Sequence, residues 1–509
     1  MKFLTISIAI LSALTKIYSQ DNFQQIRGTI TDKESLSILR GATVLLSNSN
    51  DSIRISDNRG QYKFSNVKPG RYEIKVFYNG YAEVNIPNIE VTSGRESIID
   101  ISLVEKVRQL KRVKISGQKK SGTINELATN SARTFSMEEV NRYAGGRSDA
   151  ARLASNFAGV STPDDSRNDI VIRGNSPTGV LWRLEGMNIP NPNHFATVGT
   201  TGGPVSALNT NMLKNSDFFT SAFPAEYGNA NAGVFDINLR KGNTEKYEHM
   251  FQLGALTGLE AVSEGPFRKG SGASYVVAYR YSFAGIAQSI GIPIGTTATP
   301  FYTDLTFKIN TAESKLGKFT VFGLAGYSNI EFLHNKIDST DLFANPNADS
   351  YFKSLIGVLG IKHAIKINDK SYWNTVIGGS IANSEFDQDS LDKPNNRSGR
   401  VIENIGKRNV YNINTNFNSK VNSQLFVKIG AQADLMTLDL FFRDRNKKTD
   451  WVQYWDFKDA TVLTQHYAQA KYSFTDKIIA NLGIHSQYLT LNNSFAIEPR
   501  LGLKYIATP

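Results

Sequence analysis

The sequence predicts a mainly β protein made of an N-terminal β-sandwich, a small α/β domain and part of a transmembrane antiparallel β-barrel. Three observations support this fold class. Short apolar runs separated by turn residues recur at roughly ten-residue spacing up to residue 104, as in a sandwich. Two helix patterns lie within residues 134–160, and a short helix is a further option at 204–216. From residue 247 onward, long stretches alternate between apolar and polar side chains.

Composition excludes several classes of protein. The chain has 509 residues, a formal net charge of +11 and 11% aromatic residues, so most of it is expected to be folded. The basic residues are scattered, without a long Lys/Arg run or a nucleic-acid motif, and we therefore predict no nucleic-acid partner. The absence of cysteine excludes disulfides and thiolate metal sites.

Residues 1–20 are predicted to be a signal peptide. Lys2 supplies a basic start, residues 3–14 form an apolar core that is too short to span a bilayer, and cleavage is expected near Gln20. No later stretch reaches the ~18 continuous apolar residues of a membrane helix. A position in the membrane would therefore require a barrel, because only helices and closed barrels satisfy their backbone groups in lipid.

Residues 21–104 are predicted to form the β-sandwich. Apolar runs at 43–46, 62–64, 72–77 and 98–103 alternate with turns that contain glycine. The segments that carry Gly28, Gly41, Gly60, Gly70 and Gly80, in this order, resemble the carboxypeptidase-regulatory-like domain. This resemblance implies a fold and no peptidase activity, because the sequence has no His-Glu-x-x-His motif or other zinc-peptidase ligand set.

The α/β domain is predicted to span residues 123–242 and to contain two helices near its start. Ser136 and Glu139 form a capping box for the first helix. Asp149 opens the second helix, which is expected to run through Phe157.

The stretch 170–195 holds the most distinctive pattern of the chain. Apolar runs at 170–172 and 180–184 flank the sequence Gly-Asn-Ser-Pro-Thr-Gly, which predicts two strands joined by a tight turn. Arg173 and Glu185 lie beside these runs, where an unpaired charge would be costly. Each is therefore expected to have a partner, and a direct pair between the two is one option.

An Ile-Arg-Gly strand followed by Leu-Glu-Gly-Met-Asn-Ile-Pro and Asn-Pro-Asn-His-Phe resembles the plug domain of TonB-dependent outer-membrane receptors, most closely the Bacteroidetes type with an N-terminal extension. The resemblance covers about residues 123–242. It implies structural roles in the plug for Arg173, Gly174, Glu185 and Gly186. It also implies that three residues face the ligand: Asn193, His194 and Phe195.

The linker at residues 105–122 is rich in Lys and Arg and contains one short apolar–polar alternation. In the receptors that it resembles, this position carries the TonB box, an extended segment that pairs with an energy-transducing partner through its backbone. The resemblance therefore implies a TonB-type partner and these coupling residues: Leu110, Val113, Lys114, Ile115 and Ser116. An ordinary linker strand is the alternative, and the sequence strongly favours neither.

Residues 243–509 are predicted to form part of a transmembrane β-barrel. Alternating stretches such as 275–283 and 425–435 are longer than average soluble strands and match the ~9–11 residues of a membrane strand. We count about twelve such strands. The largest barrels that enclose a plug use ~22 strands, so the sequence is expected to be a fragment without the C-terminal part of its barrel.

Short turns alternate with long polar loops in this region, as is typical of outer-membrane barrels. The long loops are predicted at 286–300, 331–350, 385–400 and 442–459. The last loop contains three large rings, Trp451, Tyr454 and Trp455, which could face a ligand and stack on a sugar or an aromatic group. An aromatic belt at the rim of the barrel is the alternative, and the sequence favours it.

No catalytic pattern is present. The sequence lacks Gly-x-Ser-x-Gly, a phosphate-binding loop and His pairs with ligand spacing, so we predict neither enzyme activity nor a metal or other cofactor. The leading hypothesis is a cell outer-membrane receptor for TonB-dependent uptake, with its N-terminal domain in the periplasm. Its expected partners are a TonB-type protein, outer-membrane lipid, an unidentified ligand and a surface lipoprotein. A secreted or surface-attached adhesin is the alternative.

Overall fold

The computed structural model describes residues 23–507 except for 48–52, 108–122, 129–130, 136, 144, 147–148, 255–257, 283, 285–297, 299, 337–344, 394–395 and 446–449. The chain forms two compact units, one of residues 1–121 with 508–509 and one of residues 122–507. The predicted signal peptide, the coupling residues from Leu110 to Ser116 and the capping residue Ser136 all lie outside the described residues.

Within its described residues, the first unit contains eight strands in two sheets. In chain order the strands are β1 (Gln24–Asp32), β2 (Thr43–Ser47), β3 (Ile53–Ile55), β4 (Gln61–Val67), β5 (Gly70–Phe77), β6 (Val84–Val91), β7 (Ser97–Ile98) and β8 (Ile101–Leu103). One sheet has the order β4-β1-β7, with β8 also paired to β1, and the other has the order β3-β2-β5-β6. Alternate residues of both sheets, among them Ile30, Val44 and Ile74, meet in one buried core. The predicted β-sandwich is thus confirmed.

The second unit begins with a small domain, which we define as the inner domain, residues 123–242. Its elements are β9 (Ala132–Phe135), α1 (Met137–Arg142), α2 (Ala150–Ala154), β10 (Val160–Ser161), β11 (Val171–Ile172), β12 (Val180–Leu184), β13 (Met187–Ile189), β14 (Asn193–His194), β15 (Val205–Ser206), β16 (Ser216–Phe219) and β17 (Gly233–Ile237). A mixed sheet has the order β13-β12-β17-β16-β9, beside the pairs β10-β11 and β14-β15. Trp182 and Phe235 stack in its core with ring centroids 4.3 Å apart.

The predicted hairpin between residues 170–172 and 180–184 is wrong. β11 pairs with β10, whereas β12 pairs with β13 and, in parallel, with β17. The apolar runs do form strands, but a turn signal between two strands does not establish that they pair. The helix α2, with Asp149 as its N-cap, is also shorter than predicted, since it ends at Ala154 instead of Phe157.

Twelve antiparallel strands follow in one sheet of the described residues, which we call the wall. They are β18 (Glu248–Gly254), β19 (Gly258–Pro266), β20 (Ser274–Tyr281), β21 (Phe301–Asn310), β22 (Lys318–Phe332), β23 (Ala348–Asn368), β24 (Ser371–Lys393), β25 (Asn396–Lys420), β26 (Leu425–Asp444), β27 (Val452–Ser473), β28 (Ile478–Leu489) and β29 (Ser494–Tyr505). Each strand pairs with the next, and within the described residues the edge strands β18 and β29 do not pair with each other. Short turns such as 369–370 and 421–424 mark the turn end of the wall, and the opposite end is the loop end.

Two predicted loops are largely strand. Residues 385–400 belong almost entirely to β24 and β25, which pair as far as Lys393 and Asn396, and most of 442–459 belongs to β26 and β27. The polar composition of these segments led to the prediction of loops. However, a paired hairpin that is not in contact with lipid needs no apolar outer face. The five strands β23–β27 are therefore 20 to 25 residues long.

The inner domain packs on one face of the wall, which we call the inner face. Phe322, Ile356 and Val376 of the wall belong to the same buried hydrophobic cluster as Leu184 and Met187 of the inner domain. Apolar packing thus joins the two parts into one unit. In the part of the chain that the structure describes, no helix has the length and apolar character needed to cross a membrane.

Candidate functional site at the interface between the inner domain and the wall

Two X-Gly turns shape the inner domain at the positions singled out by the sequence. Arg173 and Gly174 have φ angles of 51° and 79°, and Glu185 and Gly186 have φ angles of 53° and 93°. Positive φ at both central residues is the geometry of a type I′ turn, which glycine adopts easily and long side chains adopt rarely. The first turn lies at the surface, whereas the second lies against the wall.

Arg173 and Glu185 do not pair with each other, so the option of a direct contact is wrong. Arg173 is exposed and donates a hydrogen bond to Ser131 Oγ at 3.2 Å. Glu185 is buried, and two lysines of the wall approach its carboxylate, Lys308 with Nζ at 2.6 Å and Lys362 with Nζ at 3.6 Å. The two residues therefore belong to different parts of the inner domain.

The carboxylate of Glu185 stays ionised inside the protein. Burial by itself would raise the pKa of Glu185, but Lys308 and Lys362 outweigh burial and lower the pKa from 4.5 to about 2. The backbone N–H of Leu239 donates a further hydrogen bond at 2.8 Å. A buried charge is tolerated only with such partners, so the turn at Glu185 is tied firmly to β21 and β23.

A second buried cluster surrounds Glu226. Its carboxylate lies 3.3 Å from Arg183 Nη1 and 2.6 Å from Nζ of Lys428, which belongs to β26 of the wall. The side-chain amide of Asn125 donates to the same carboxylate at 2.8 Å. Burial would raise the pKa of Glu226, but Lys428 and Arg183 outweigh it and lower the pKa to about 2. The inner domain and the wall thus share a fixed, buried charge network.

Asn125 belongs to residues 123–128, which we call the entry segment because they lead from the linker into the inner domain. The backbone N–H of Ile124 donates to Asp217 at 3.0 Å. Glu126 forms an ion pair with Lys471 of the wall at 2.9 Å. The entry segment is therefore attached by polar contacts both to the inner domain and to β27.

Two of the predicted ligand-facing residues, Asn193 and His194, are buried and make polar contacts within the protein. His194 Nε2 lies 3.0 Å from Asp304 Oδ2 of the wall, and Arg280 contacts the same carboxylate at 2.7 Å. Burial lowers the pKa of His194, so the neutral ring donates its Nε2 proton to Asp304. Asn193 accepts a hydrogen bond from Asn168 at 2.7 Å. These residues hold β14 in place.

The third predicted residue, Phe195, begins a loop at 195–201 that reaches the wall. The backbone N–H of Phe195 donates to Ser328 Oγ at 2.9 Å, and that of Val198 donates to Ser384 Oγ at 3.1 Å. A cavity of about 180 Å³ lies between this loop and the wall. Its lining includes Trp182, Ile356, Arg408, Asp434 and Met436.

The three rings predicted in one long loop lie at the loop end of β26 and β27, and two of them are in β27 itself. Trp455 pairs across the strands with Phe442, with ring centroids 5.0 Å apart, and Tyr454 stacks on the same ring at 4.9 Å. Trp451 instead lies against the guanidinium group of Arg443 at 4.2 Å. Tyr454 and Trp455 therefore occupy paired strand, whereas Trp451 lies just before β27 and has a different environment.

Sequence reasoning missed the charged residues that carry the interface. A signal was present, because a lysine amid apolar alternation in a predicted membrane strand indicates an inward-facing position. The partner of such a lysine could not be found from the sequence. Lys308 and Lys428 contact carboxylates that lie 123 and 202 positions away in the chain. The missed residues are Arg183, Glu226, Lys308 and Lys428.

The interface combines apolar packing with hydrogen bonds and ion pairs. Among the described residues, no group of three or more His, Asp or Glu side chains is placed to hold a metal ion. Hydrogen bonds to water can replace polar contacts of this kind. The net cost in free energy is small when both partners become hydrated. The interface can therefore position the inner domain and can also release it.

Comparison with protein families identifies the first domain. Residues 25–104 match the family model of the carboxypeptidase regulatory-like domain. No curated protein matches the sequence significantly.

Solved structures share the fold of the longer part of the chain. The outer membrane transporter YddB from Escherichia coli matches with a TM-score of 0.51 and 14% identity over 73% of this chain and 58% of that one. The siderophore receptor PirA from Acinetobacter baumannii matches with a TM-score of 0.50 and 15% identity over 75% and 59%. P. aeruginosa FpvA, solved with heterologous pyoverdines, matches with a TM-score of 0.55 and 12% identity over 75% and 55%.

These likenesses establish the fold: the chain has the fold of outer-membrane receptors and transporters, in agreement with the fold that the resemblance to TonB-dependent receptors implied. The chain spans 55–59% of the length of these three proteins. At 12–15% identity, their ligands and partners remain statements about those proteins.

Proposed function

We propose that this chain is part of an outer-membrane receptor that takes up a substrate by TonB-dependent active transport. The observation that carries the proposal is the buried polar interface between the inner domain and the wall. Ion pairs and hydrogen bonds can be replaced by contacts with water at a small net free energy, so a domain held in this way can be moved. A static binding protein, such as an adhesin, has no use for a movable inner domain.

The outer face of the wall supports a location in the cell outer membrane. Ile361, Ile377 and Ile413 are cross-strand neighbours in the turn-end half, and each is 44–57% exposed. Contact with lipid tails accounts for an apolar outer face at this level. In the proposed orientation the turn end and the N-terminal sandwich face the periplasm, and the loop end faces the outside.

The proposed energy source is a TonB-type partner that pairs with the segment from Leu110 to Ser116. No nucleotide-binding motif is present in the sequence, so the work of transport has to arrive as force on the chain. The entry segment follows this linker, and Asn125 connects it to Glu226. Force on the linker would therefore act on the contact between Ile124 and Asp217 and next on the buried charge cluster. A receptor of this kind makes and breaks no covalent bond, and a surface lipoprotein is a further partner that we propose.

Two experiments on the full-length protein test the proposal. Cell fractionation and heat-dependent migration in gels are expected to place the protein in the outer membrane, and recovery as a soluble species would contradict this. In an uptake assay, Lys114→Pro is expected to abolish transport and leave ligand binding intact, because proline removes a backbone donor from the extended segment. Uptake at the wild-type rate would show that the partner couples elsewhere.

A further inference from the structure

The inner domain contacts the two sides of the wall in different ways. Against β19–β24 it buries apolar side chains, because its hydrophobic cluster includes these wall residues: Val262, Val276, Ala278, Phe322, Leu324, Ile356, Val358 and Val376. Among the described residues, no member of that cluster belongs to β25–β29. Separation of the inner domain from β19–β24 would therefore expose more apolar surface to water than separation from β26–β29.

On the second side, residues 222–228 of the inner domain lie against β26–β29 and are held by polar contacts. The backbone N–H of Ala225 donates to the side-chain oxygen of Gln469 at 2.6 Å, and its carbonyl oxygen accepts from His485 Nδ1 at 2.7 Å. Arg500 donates to three backbone carbonyl oxygens of the same segment. Hydrogen bonds to water can replace these contacts when the segment moves away.

Two cavities reach β27 at different levels of the wall. The cavity of about 180 Å³ beside the 195–201 loop is lined by Leu463, among other residues. A second cavity, of about 360 Å³, is lined by Gln469 and Arg500. Leu463 and Gln469 point to the same side of β27, six positions apart, so the two levels are separated by ~20 Å along the strand.

Polar side chains occupy the inner face between these two levels. In β27 and β28 the inward-facing residues there form two cross-strand pairs: Gln465 with Gln487, and Tyr467 with His485. Each of the four has a buried polar atom without a hydrogen-bond partner among the described residues. Gly228 of the inner domain closes the gap, since a Cβ added to it would lie 2.1 Å from Gln465 Oε1 and 2.3 Å from His485 Nε2. If Gly228 moved away, water could satisfy the four polar atoms and offset part of the cost of separation.

The entry segment is attached to the same side of the wall. Glu126 pairs with Lys471 of β27 at 2.9 Å, and Asn481 of β28 donates to the carbonyl oxygen of Leu127 at 2.7 Å. Force that arrives through the linker would therefore act on the contacts with β27 and β28 directly. The hydrophobic cluster against β19–β24 lies on the other side of the inner domain's contacts with the wall.

We propose that the substrate path opens between the inner domain and β26–β29, while the apolar contact with β19–β24 persists as a hinge. The inference rests on the proposed uptake function and assigns the side of the wall along which the substrate passes. Separation on this side breaks polar contacts that water can replace, joins the two cavities and leaves the hydrophobic cluster buried. Separation on the opposite side would expose that cluster to water.

Cysteine labelling of the full-length protein tests which side opens. Gln465→Cys and His485→Cys report on β27 and β28, and Thr306→Cys and Ala278→Cys are the matched controls on β21 and β20. All four side chains face inward and are only 1–2% exposed, and residues 1–509 contain no cysteine that would compete. Thr306 also has a buried oxygen without a partner among the described residues, so it matches Gln465 in this respect.

The probe is the cationic thiol reagent methanethiosulfonate ethyltrimethylammonium. It is applied to the protein in vesicles of phosphatidylethanolamine and phosphatidylglycerol, at urea concentrations below the unfolding transition. Gln465→Cys and His485→Cys are expected to react about tenfold faster than the two controls or more, because local opening exposes them first. Equal rates, or faster reaction of Thr306→Cys and Ala278→Cys, would overturn the proposal. Two reporters on each side keep the test decisive if one variant does not fold, which its migration in unheated gels shows.

Labelling in cells separates this inference from the proposed coupling to a TonB-type partner. Gln465→Cys is expected to react faster in energised cells than after addition of a protonophore, and Lys114→Pro is expected to remove the difference. An energy-dependent increase at Thr306→Cys instead would overturn the proposed side. If energy has no effect but the rates in vesicles still differ as expected, the coupling is wrong and the side of opening stands.

Discussion

Side chains alternate between the two faces in both halves of the wall, but the exposed apolar side chains lie mainly on the outer face in one half and mainly on the inner face in the other. In the turn-end half, the outer face carries exposed isoleucines, and the inner face carries buried polar side chains: Asn412, Asn414, Gln432 and Asp434. In the loop-end half, the outer face carries charged side chains such as Lys353, Glu385 and Glu403, and the inner face carries Phe352, Phe386 and Phe442. Both halves belong to the same continuous strands β23–β27, so the inversion occurs within individual strands.

The inversion shows that the surroundings of each face, and not the strand itself, decide which side chains it carries. In the proposed membrane, lipid requires apolar atoms on the outside of the turn-end half, and the inner domain there makes polar contacts with the inside. Beyond the proposed membrane, water surrounds the outside, and apolar side chains are free to face inward. The two halves therefore differ in how strongly their charged residues are expected to affect stability.

Acidification is expected to have the largest effect, and to act on the turn-end half. The pKa values of Glu185 and Glu226 are about 2 in the folded protein, below the ordinary value of 4.5. Depressed pKa values contribute stability that is present above pH 4.5 and is lost as the pH falls through about 2. Urea unfolding of the membrane-inserted protein at several pH values should show this loss, and a flat profile between these values would contradict it.

Glu226→Gln is expected to have the largest effect of a single substitution. It leaves Arg183 and Lys428 buried without their shared carboxylate, and loss of one partner from a buried ion cluster costs about 3–5 kcal/mol. The urea midpoint of the variant measures this cost. The variant should also lose less stability on acidification than the wild type, because one of the two titrating carboxylates is absent. An unchanged midpoint would mean that the cluster is hydrated.

Ile413→Lys tests the level of the membrane, with Ile405→Lys as its control on the same strand and the same outer face. Ile413 lies in the apolar row of the turn-end half, whereas Ile405 lies between Glu385 and Phe441 in the loop-end half. A lysine facing lipid near the midplane costs about 2–4 kcal/mol, and a lysine facing water costs about 0.5 kcal/mol or less. The folded fraction in vesicles measures both, and equal losses would contradict the assigned level.

Glu403→Gln is expected to have the smallest effect. Glu403 pairs with Arg443 at 2.7 Å on the outer face of the loop-end half, where the two side chains are 23% and 34% exposed. Partly exposed ion pairs contribute about 0–1 kcal/mol, because water already solvates both charges. The urea midpoint should therefore stay close to that of the wild type, in contrast to Glu226→Gln. A loss as large as that of Glu226→Gln would show that this pair is buried in the native protein.

The sequence by itself determined the elements whose signals are local. Alternation of period two predicted the wall and its twelve strands, since side chains of a strand alternate between two faces regardless of what the strand pairs with. Turn glycines and apolar runs likewise predicted the N-terminal sandwich. The sequence singled out Arg173, Gly174, Glu185 and Gly186, but it did not predict that each X-Gly pair forms a turn with left-handed backbone.

Only the tertiary structure decided which residues meet. Lys308 and Lys428 find carboxylates that lie 123 and 202 residues away, and no local pattern specifies such partners. The same limit explains why β11 and β12 were paired incorrectly and why residues 385–400 were taken for a loop. It also applies to Trp455: the sequence placed its ring near the rim, but only its register with Phe442 and the contact of Ser384 with the inner domain assign it to the inner face. Register is a long-range property, since it depends on the neighbouring strand and not on the residue's own surroundings in the chain.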